Sequence, residues 1–121
     1  TGGSDAPRGH GRENEAADTL AGHGYDVEQN PGRNHHGRNP DYKIEGKYFD
    51  CYAPKADTPK GRIPHHISKK IKDGQTERVV LNLDDSPFTP SEMKDILANE
   101  AVPGLKEVIT IKNGNIQHIF P

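Results

Sequence analysis

The segment 39–50 constrains the fold more than any other part of this chain, because it predicts a hairpin with one carboxylate on each arm. Strand-like residues flank Glu45-Gly46, a dipeptide suited to a two-residue turn. A strand rises about 3.3 Å per residue, so the nine residues from Asp41 to Asp50 would span roughly 30 Å if the chain stayed extended. Folding back at the turn instead brings the two carboxylates together at the open end of the hairpin.

Helical and strand-like patterns alternate over the rest of the chain. Apolar residues recur at Ile63, Ile67 and Ile71, which is typical of a helix with one buried ridge. Thr89 begins a capping box that predicts another helix, and Asn113-Gly114 is a strong hairpin signal. The predicted order is α-β-β-β-α-β-α-β-β, with the first helix over 12–23 and strands over 25–28, 42–44, 47–52, 78–83, 106–112 and 115–120. This order predicts the α/β (α+β) class, with a mixed central sheet flanked by helices.

Composition limits the size of the core. A chain of 121 residues is typical of one domain, and with 30% hydrophobic residues and no Trp we expect a lean core. Gly and polar residues dominate positions 1–11, which we interpret as a flexible leader before a single domain over 12–121. The single cysteine excludes an intrachain disulfide, and no apolar run approaches the ~18 residues of a membrane-spanning helix.

Charge is distributed unevenly along the chain. The formal net charge of −2 gives no general support for nucleic-acid binding. Residues 60–72 nevertheless hold five Lys or Arg and no acid, and Arg33 and Arg38 precede Asp41. Such a strip can contact phosphates, but a solvated helix face has the same composition, so the strip alone leaves both interpretations open.

The paired carboxylates of the hairpin indicate a divalent-metal site of the kind used for phosphodiester hydrolysis. Two close carboxylates repel one another unless a cation lies between them or one stays protonated. Mg²⁺ is held by one or two carboxylates together with water and substrate phosphate, and a nearby lysine can stabilise the charge that develops on phosphate. If Phe49 and Cys51 face the core, the alternate face, with Asp50, is open to a ligand. A solvated turn rich in Asp is the alternative.

Histidine and cysteine offer two other kinds of catalysis. The pairs His35-His36 and His65-His66 could serve as general acid and base in a metal-independent ribonuclease, although exposed loop residues are the simpler interpretation. Their spacing matches no common zinc pattern. Cys51 as a nucleophile is less favoured, because a free cysteine in the middle of a strand usually fills the core.

Several motifs, in the same order, resemble one known family. They are Glu15 with the helical residues up to Tyr25, Asn39-Pro40-Asp41-Tyr42, Glu45-Gly46-Lys47, Phe49-Asp50, the Lys-rich helix that ends at Gly74-Gln75, and the strand 78–83. Over roughly residues 12–121 the chain resembles the C-terminal tRNA-nuclease toxin domains of contact-dependent growth inhibition (CDI) proteins, in the PD-(D/E)xK superfamily. The resemblance implies a restriction-endonuclease-like core.

The resemblance also implies the metal site. It assigns metal binding and catalysis to Glu15 on the first helix, to Asp41 as the Asp of the PD motif, and to Asp50 as the second strand acid. The implied cofactor is a divalent metal, Mg²⁺ first, with Zn²⁺ or Mn²⁺ as alternatives. Water would then be the attacking group on the phosphodiester.

One position departs from the family pattern. The motif expects a lysine two residues after the second acid, where this chain has Tyr52. The following helix offers Lys70 or Lys69 in its place. Lys70 is the better candidate, because it lies three residues from Ile67 and therefore beside the buried ridge of that helix.

The resemblance further implies substrate contacts, partners and location. The expected substrate is tRNA, contacted by Gln75, Arg62, Lys72, His35 and His36. The expected protein partner is a cognate immunity protein. The segment has no membrane anchor of its own and would belong to a larger secreted toxin, acting in the cytoplasm of a target bacterium. Two alternatives remain, a DNA endonuclease of the same fold and a non-catalytic nucleic-acid-binding module.

Overall fold

The computed structural model describes residues 6–121, in which helices and strands alternate in the predicted order. Each predicted strand is present, with bounds that differ by a few residues at most. The elements are α1 (Ala6–Gly22), β1 (Val27–Gln29), β2 (Tyr42–Ile44), β3 (Lys47–Tyr52), α2 (Arg62–Lys72), β4 (Arg78–Asn82), α3 (Pro90–Asn99), β5 (Glu107–Lys112) and β6 (Asn115–Phe120). None of the helices in this part of the chain combines the length and the apolar character needed to cross a bilayer.

Helix α1 begins earlier than the sequence pattern predicts. It starts at Ala6, so residues 6–11, which we expected in the flexible leader, form its first turns; residues 1–5 lie outside the described residues. Tertiary contacts explain the difference. Arg8 and Arg12 both form ion pairs with Asp85, beyond the end of β4, at 2.6 and 2.7 Å. These contacts stabilise helical turns that are poor in apolar residues and contain two glycines.

The six strands form one mixed sheet in sequence order. Strands β1, β2 and β3 pair antiparallel, β3, β4 and β5 pair parallel, and β6 returns antiparallel to β5. Parallel neighbours need a crossover connection, and α2 and α3 supply the two crossovers. The predicted mixed sheet flanked by helices is confirmed, with β4 in its interior.

Two tight turns set the antiparallel pairings. Glu45-Gly46 has φ values of 49° and 79°, and Asn113-Gly114 has 52° and 78°. Positive φ at both central residues is the type I′ geometry that matches the twist of a hairpin. The first turn pairs Tyr42 with Phe49, which leaves Asp41 and Asp50 at the open end, as predicted.

Each face of the sheet is covered by helix. One core joins α1 to the sheet through Ala16, Ala17, Leu20, Tyr42, Ile44, Phe49, Val80, Ile109 and Ile111. The other joins α2 and α3 to it through Ile63, Ile67, Val79, Leu81, Leu83, Met93, Leu97, Leu105, Val108 and Ile119. Phe49 faces a core, as predicted. On the face that carries Asp50, α2 packs close by, so that Asp50 is only 2% exposed although it lines a groove at the open end of the hairpin.

Candidate active site

The open end of the first hairpin brings two carboxyl groups together. The backbone N–H of Asp41 donates to Oδ1 of Asp50 at 3.2 Å, and Oδ2 of Asp41 accepts from the backbone N–H of Cys51 at 2.8 Å. Each carboxyl group therefore binds the backbone of the opposite arm. The predicted proximity of Asp41 and Asp50 is confirmed.

Helix α2 supplies the cation of this site. Nζ of Lys70 lies 2.7 Å from Oδ2 of Asp50, whose side chain is almost fully buried. Lys69 is exposed on the adjacent side of the helix. After the helix ends, Nε2 of Gln75 donates to the carbonyl oxygen of Asn39 at 2.8 Å and, more weakly, to Oδ1 of Asp50 at 3.4 Å. Of the two lysine candidates, the structure brings Lys70 to the carboxylates.

Burial and repulsion shift the proton affinity of these groups. Burial, followed by a hydrogen bond and charge repulsion from Asp50, raises the pKa of Asp41 to about 8. Burial acts to lower the pKa of Lys70, but the negative charge of Asp50 outweighs it, so the pKa of Lys70 is raised and the ammonium stays charged. The charged ammonium of Lys70 therefore lies beside two carboxyl groups, those of Asp41 and Asp50.

The third acid of the cluster is Glu13, which the sequence analysis missed. Its carboxyl group is within hydrogen-bonding reach of Asp41, and burial is the main reason that the pKa of Glu13 is raised. Tyr42 fixes this part of α1, because its hydroxyl donates to the carbonyl oxygen of Glu13 at 2.6 Å. One signal was available in the sequence: Glu13 precedes Ala16 and Ala17 of the buried stripe by three and four residues, so it shares their face of the helix.

The prediction placed Glu15 beside Asp41 and Asp50, but the structure puts its side chain on another side of α1. Two residues along a helix is about half a turn, so Glu15 points away from the side that carries Glu13. Its carboxylate is 57% exposed and pairs with Arg12 at 2.5 Å. The structure therefore separates Glu15 from Asp41 and Asp50.

The carboxyl cluster lies in a groove of about 1000 Å³ between α1, the hairpin end and α2. Basic residues line the groove around the acids: Arg8, Lys55, Arg62, Lys69 and Lys70. Of the residues expected to contact tRNA, Arg62 and Gln75 line the groove, whereas Lys72 does not. His35 and His36 line a separate cavity. A polyanion could thus place one phosphate over the acids and its neighbours beside Lys or Arg.

Two further side chains of β3 affect the chemistry. Burial raises the pKa of the Cys51 thiol to about 12, which argues against Cys51 as a nucleophile. The ring of Tyr52, at the position where a lysine was expected, stacks on His66 with 5.5 Å between ring centroids. The Tyr52 hydroxyl is buried without a hydrogen-bond partner in the described part of the chain.

The donor atoms suit a hard divalent cation. Carboxylate oxygens are the ligands that Mg²⁺ and Mn²⁺ prefer, and the pKa of Asp41 is raised by burial and by the neighbouring carboxylate of Asp50, both of which a bound cation would offset. Among residues 6–121, no group of three or more His, Cys, Asp and Glu side chains is arranged as a complete metal site. The fit is therefore to Mg²⁺ held by two carboxylates plus water and phosphate, rather than to a zinc cage.

Comparison with known proteins identifies relatives. The model of the family described as the contact-dependent growth inhibition CdiA C-terminal domain matches residues 38–116. The tRNA nuclease CdiA-2 of Burkholderia pseudomallei (strain 1026b) is 44% identical over 114 residues, which cover 91% of this chain and 4% of that protein. A chain of the solved CdiA-CT/CdiI toxin and immunity complex from Burkholderia pseudomallei matches with a TM-score of 0.87 and 42% identity, over 96% of this chain and 87% of that one.

Proposed function

Because the chain belongs to the family of contact-dependent growth inhibition CdiA C-terminal domains, we propose that it is a toxin ribonuclease that hydrolyses tRNA. The observation that carries this proposal is the Lys70–Asp50 pair beside Asp41 and Glu13 in a groove lined with basic residues. The name of the 44% identical relative, a tRNA nuclease, supports tRNA as the substrate. The chain spans about 4% of the length of that relative, so the activity proposed is that of this segment.

Asp41 and Asp50 are the residues that would hold the divalent metal, Mg²⁺ first, with Mn²⁺ or Zn²⁺ as alternatives, together with water and substrate phosphate. A bound divalent cation would neutralise charge on the phosphate and lower the pKa of water. Asp41 and Asp50 are held by backbone N–H groups, so their oxygens are oriented before any ligand arrives. Glu13 reaches the same point from α1 and can orient a water molecule through its carboxylate.

Lys70 and the residues around it would act on the RNA. The ammonium group of Lys70 is charged and anchored to Asp50, so it can donate a hydrogen bond to a phosphate oxygen as negative charge develops there. Gln75, tied to Asn39 and Asp50, would hold the strand beside the cleaved bond. Arg62 and Lys69 would neutralise flanking phosphates, and Lys72, in the last turn of α2, would contact the backbone outside the groove.

The biological setting follows from the same relatives. The solved relative is a complex of a toxin with its immunity protein, which supports a cognate immunity protein for this chain. The length of the curated relative supports delivery as part of a much larger protein. We propose that the domain acts in the cytoplasm of the target bacterium, where its tRNA substrate is found.

The direct test is cleavage of total bacterial tRNA by the purified protein, with Mg²⁺ or with a chelator. Asp50→Asn is the inactive variant, and Asp95→Asn, on the exposed side of α3, is the matched control. Discrete fragments from the wild type and from Asp95→Asn, but not from Asp50→Asn or with chelator, are expected. Nicking of supercoiled plasmid with intact tRNA would favour a DNA endonuclease, and tRNA binding without cleavage of either would favour a non-catalytic module.

Metal binding can be measured without activity. A ligand that binds only the folded state raises the melting temperature, and the rise grows with the logarithm of its concentration relative to its Kd. Mg²⁺ or Mn²⁺ should raise the melting temperature of the wild type and do so less for Asp41→Asn. An equal rise in both proteins would place the cation elsewhere.

A further inference from the structure

A second cavity, of about 330 Å³, lies on the other side of a thin wall from the active groove. The wall is the segment 73–76, in which consecutive residues face alternate cavities. Asp73 and Gln75 line the groove, whereas Gly74 and Thr76 line the second cavity. An RNA strand that passes from the carboxyl cluster over Gln75 would therefore meet the second cavity on the other side of this single backbone segment.

Two imidazole rings form one side of this cavity. The ring centroids of His35 and His36 lie 3.9 Å apart with 42° between the ring planes. His36 packs so closely on Gly74 that a Cβ there would lie 3.2 Å from the Cβ of His36, and Gly74 also has a positive φ of 76°. The glycine thus allows the loop that carries both histidines to rest directly on the wall.

Asn34 anchors the same loop to the wall. Its Nδ2 donates to the carbonyl oxygens of Gly74 and Gln75 at 3.0 and 3.1 Å, and its Oδ1 accepts from the backbone N–H of His36 at 2.9 Å. A single side chain therefore fixes both the histidine pair and the residue that contacts Asp50. The position of the imidazoles relative to the carboxyl cluster is set by this contact.

The rest of the cavity lining includes an aromatic ring, two cations and one acid. Tyr48 contributes the ring, with Nζ of Lys43 5.4 Å from its centroid, and Lys47 contributes an exposed ammonium group. Arg78 also lines the cavity but pairs with Glu107 at 3.2 Å, and the acid is Glu77. Aromatic rings beside Lys and Arg are the elements with which proteins bind unpaired nucleotides, since bases stack on the rings and phosphates pair with the cations. The cavity, at about 330 Å³, is near the lower end of the volumes typical of ligand sites. Its size and its lining therefore suit one nucleotide and not a duplex.

We propose that this cavity binds one unpaired nucleotide of the RNA strand cut in the adjacent groove, with the base stacked on His35 and the phosphate near Lys47 or Arg78. The proposal rests on the proposed ribonuclease function, which it deepens by adding a requirement: the cleaved bond must lie close to an unpaired base. Paired bases are already stacked within a helix and are not available to the imidazole rings.

The test compares His35→Ala with His35→Phe, which keeps a ring but loses the imidazole nitrogens. His23→Ala is the matched control, because His23 is an exposed imidazole outside both cavities. Cleavage kinetics on tRNA are measured for all three and for the wild type. Binding of tRNA, and of a fully paired RNA duplex, is measured in chelator by fluorescence anisotropy.

We expect His35→Ala to raise KM for tRNA at least about fivefold with little change in kcat. This is the effect expected from losing the stacking of one base on an aromatic ring. His35→Phe and His23→Ala should remain near the wild type, and all four proteins should bind the paired duplex alike. Equal tRNA binding by His35→Ala and the wild type, or an equal loss for Ala and Phe, would overturn the stacking proposal. If the wild type fails to cleave tRNA, the ribonuclease proposal fails, and the anisotropy comparison still decides the binding site.

Discussion

Nζ of Lys70 lies 2.7 Å from Oδ2 of Asp50, and this contact joins the last turn of α2 to the open end of the hairpin. Asp50 is buried and also accepts from the backbone of Asp41. The pair therefore combines two roles: it neutralises a buried carboxylate, and it places an ammonium group at the floor of the groove. Substitutions at either residue should affect both stability and activity.

Lys70→Met should abolish tRNA cleavage and lower the free energy of unfolding by about 2–3 kcal/mol, because it leaves the Asp50 carboxylate buried without its cation. Lys69→Met removes the same side chain from the exposed neighbouring position and should keep most activity and stability. Urea denaturation and single-turnover cleavage measure the two effects. A larger loss of activity in Lys69→Met would reverse the assignment of the catalytic lysine.

Glu13→Gln should reduce cleavage at least about 100-fold, the effect typical of losing a catalytic carboxylate, while Glu15→Gln should change it less than about threefold. The reason is position: Glu13 reaches Asp41, whereas Glu15 pairs with Arg12 at the surface. Both variants keep the length and polarity of the side chain. Comparable losses in the two variants would show that α1 turns when substrate or metal binds.

In the metal-free protein, the contribution of Asp41 to stability should fall as the pH rises from about 4 to about 8. The pKa of Asp41 is about 8 in the folded protein and ordinary in the unfolded chain, so over this interval the unfolded state loses its proton first. Asp41→Asn cannot ionise, and its stability relative to the wild type should grow by about 1 kcal/mol or more across that interval. Thermal unfolding in chelator at several pH values measures this. Parallel curves for the two proteins would contradict it.

Tyr52→Phe should stabilise the protein by roughly 1 kcal/mol, since it removes a buried hydroxyl that has no partner in the described residues and keeps the ring that stacks on His66. Cleavage of tRNA should be nearly unchanged. The melting temperature and kcat/KM are the measurements. A destabilised or inactive Tyr52→Phe would mean that the hydroxyl has a partner in the working enzyme, such as water or substrate.

Asp85→Asn should lower kcat more than it changes KM, because Asp85 positions α1 and does not contact the carboxyl cluster. It accepts from Arg8 at 2.6 Å and from Arg12 at 2.7 and 3.0 Å, and these bonds hold the helix that carries Glu13. The expected loss of stability is about 1–2 kcal/mol, as for charge-assisted hydrogen bonds. Lys106→Gln breaks an exposed pair with Glu77 and is the control, expected to be neutral. Wild-type kcat in Asp85→Asn would exclude a positioning role.

Much of the fold follows from local patterns in the sequence. Glu45-Gly46 and Asn113-Gly114 specify their turns through backbone conformations that few residue pairs adopt, and the capping box at Thr89 is present as predicted. The first turn alone brings Asp41 to Asp50, because register in a hairpin is determined by its turn. Those parts could be predicted without the tertiary structure.

Position on the helices was harder to derive from sequence. The isoleucine ridge of α2 defines the buried face of that helix and therefore favours Lys70 over Lys69, and the structure places Lys70 against Asp50. On α1 the apolar stripe begins only at Ala16 and its first two members are alanines, so the assignment to Glu15 follows from the family resemblance rather than from the helical face. The start of α1 was missed for a related reason, because Arg8 and Arg12 find their partner Asp85 far along the chain.

The sequence by itself determined the order of elements, the two tight turns and the meeting of two carboxylates, since each depends on residues within a few positions of one another. Only the tertiary structure decided that Glu13 completes the acidic cluster, that α2 covers Asp50, and that His35 and His36 line a cavity of their own behind Gly74. Those outcomes depend on how three helices and one loop pack against the sheet. Packing of this kind joins residues distant in the chain, and no local pattern encodes it.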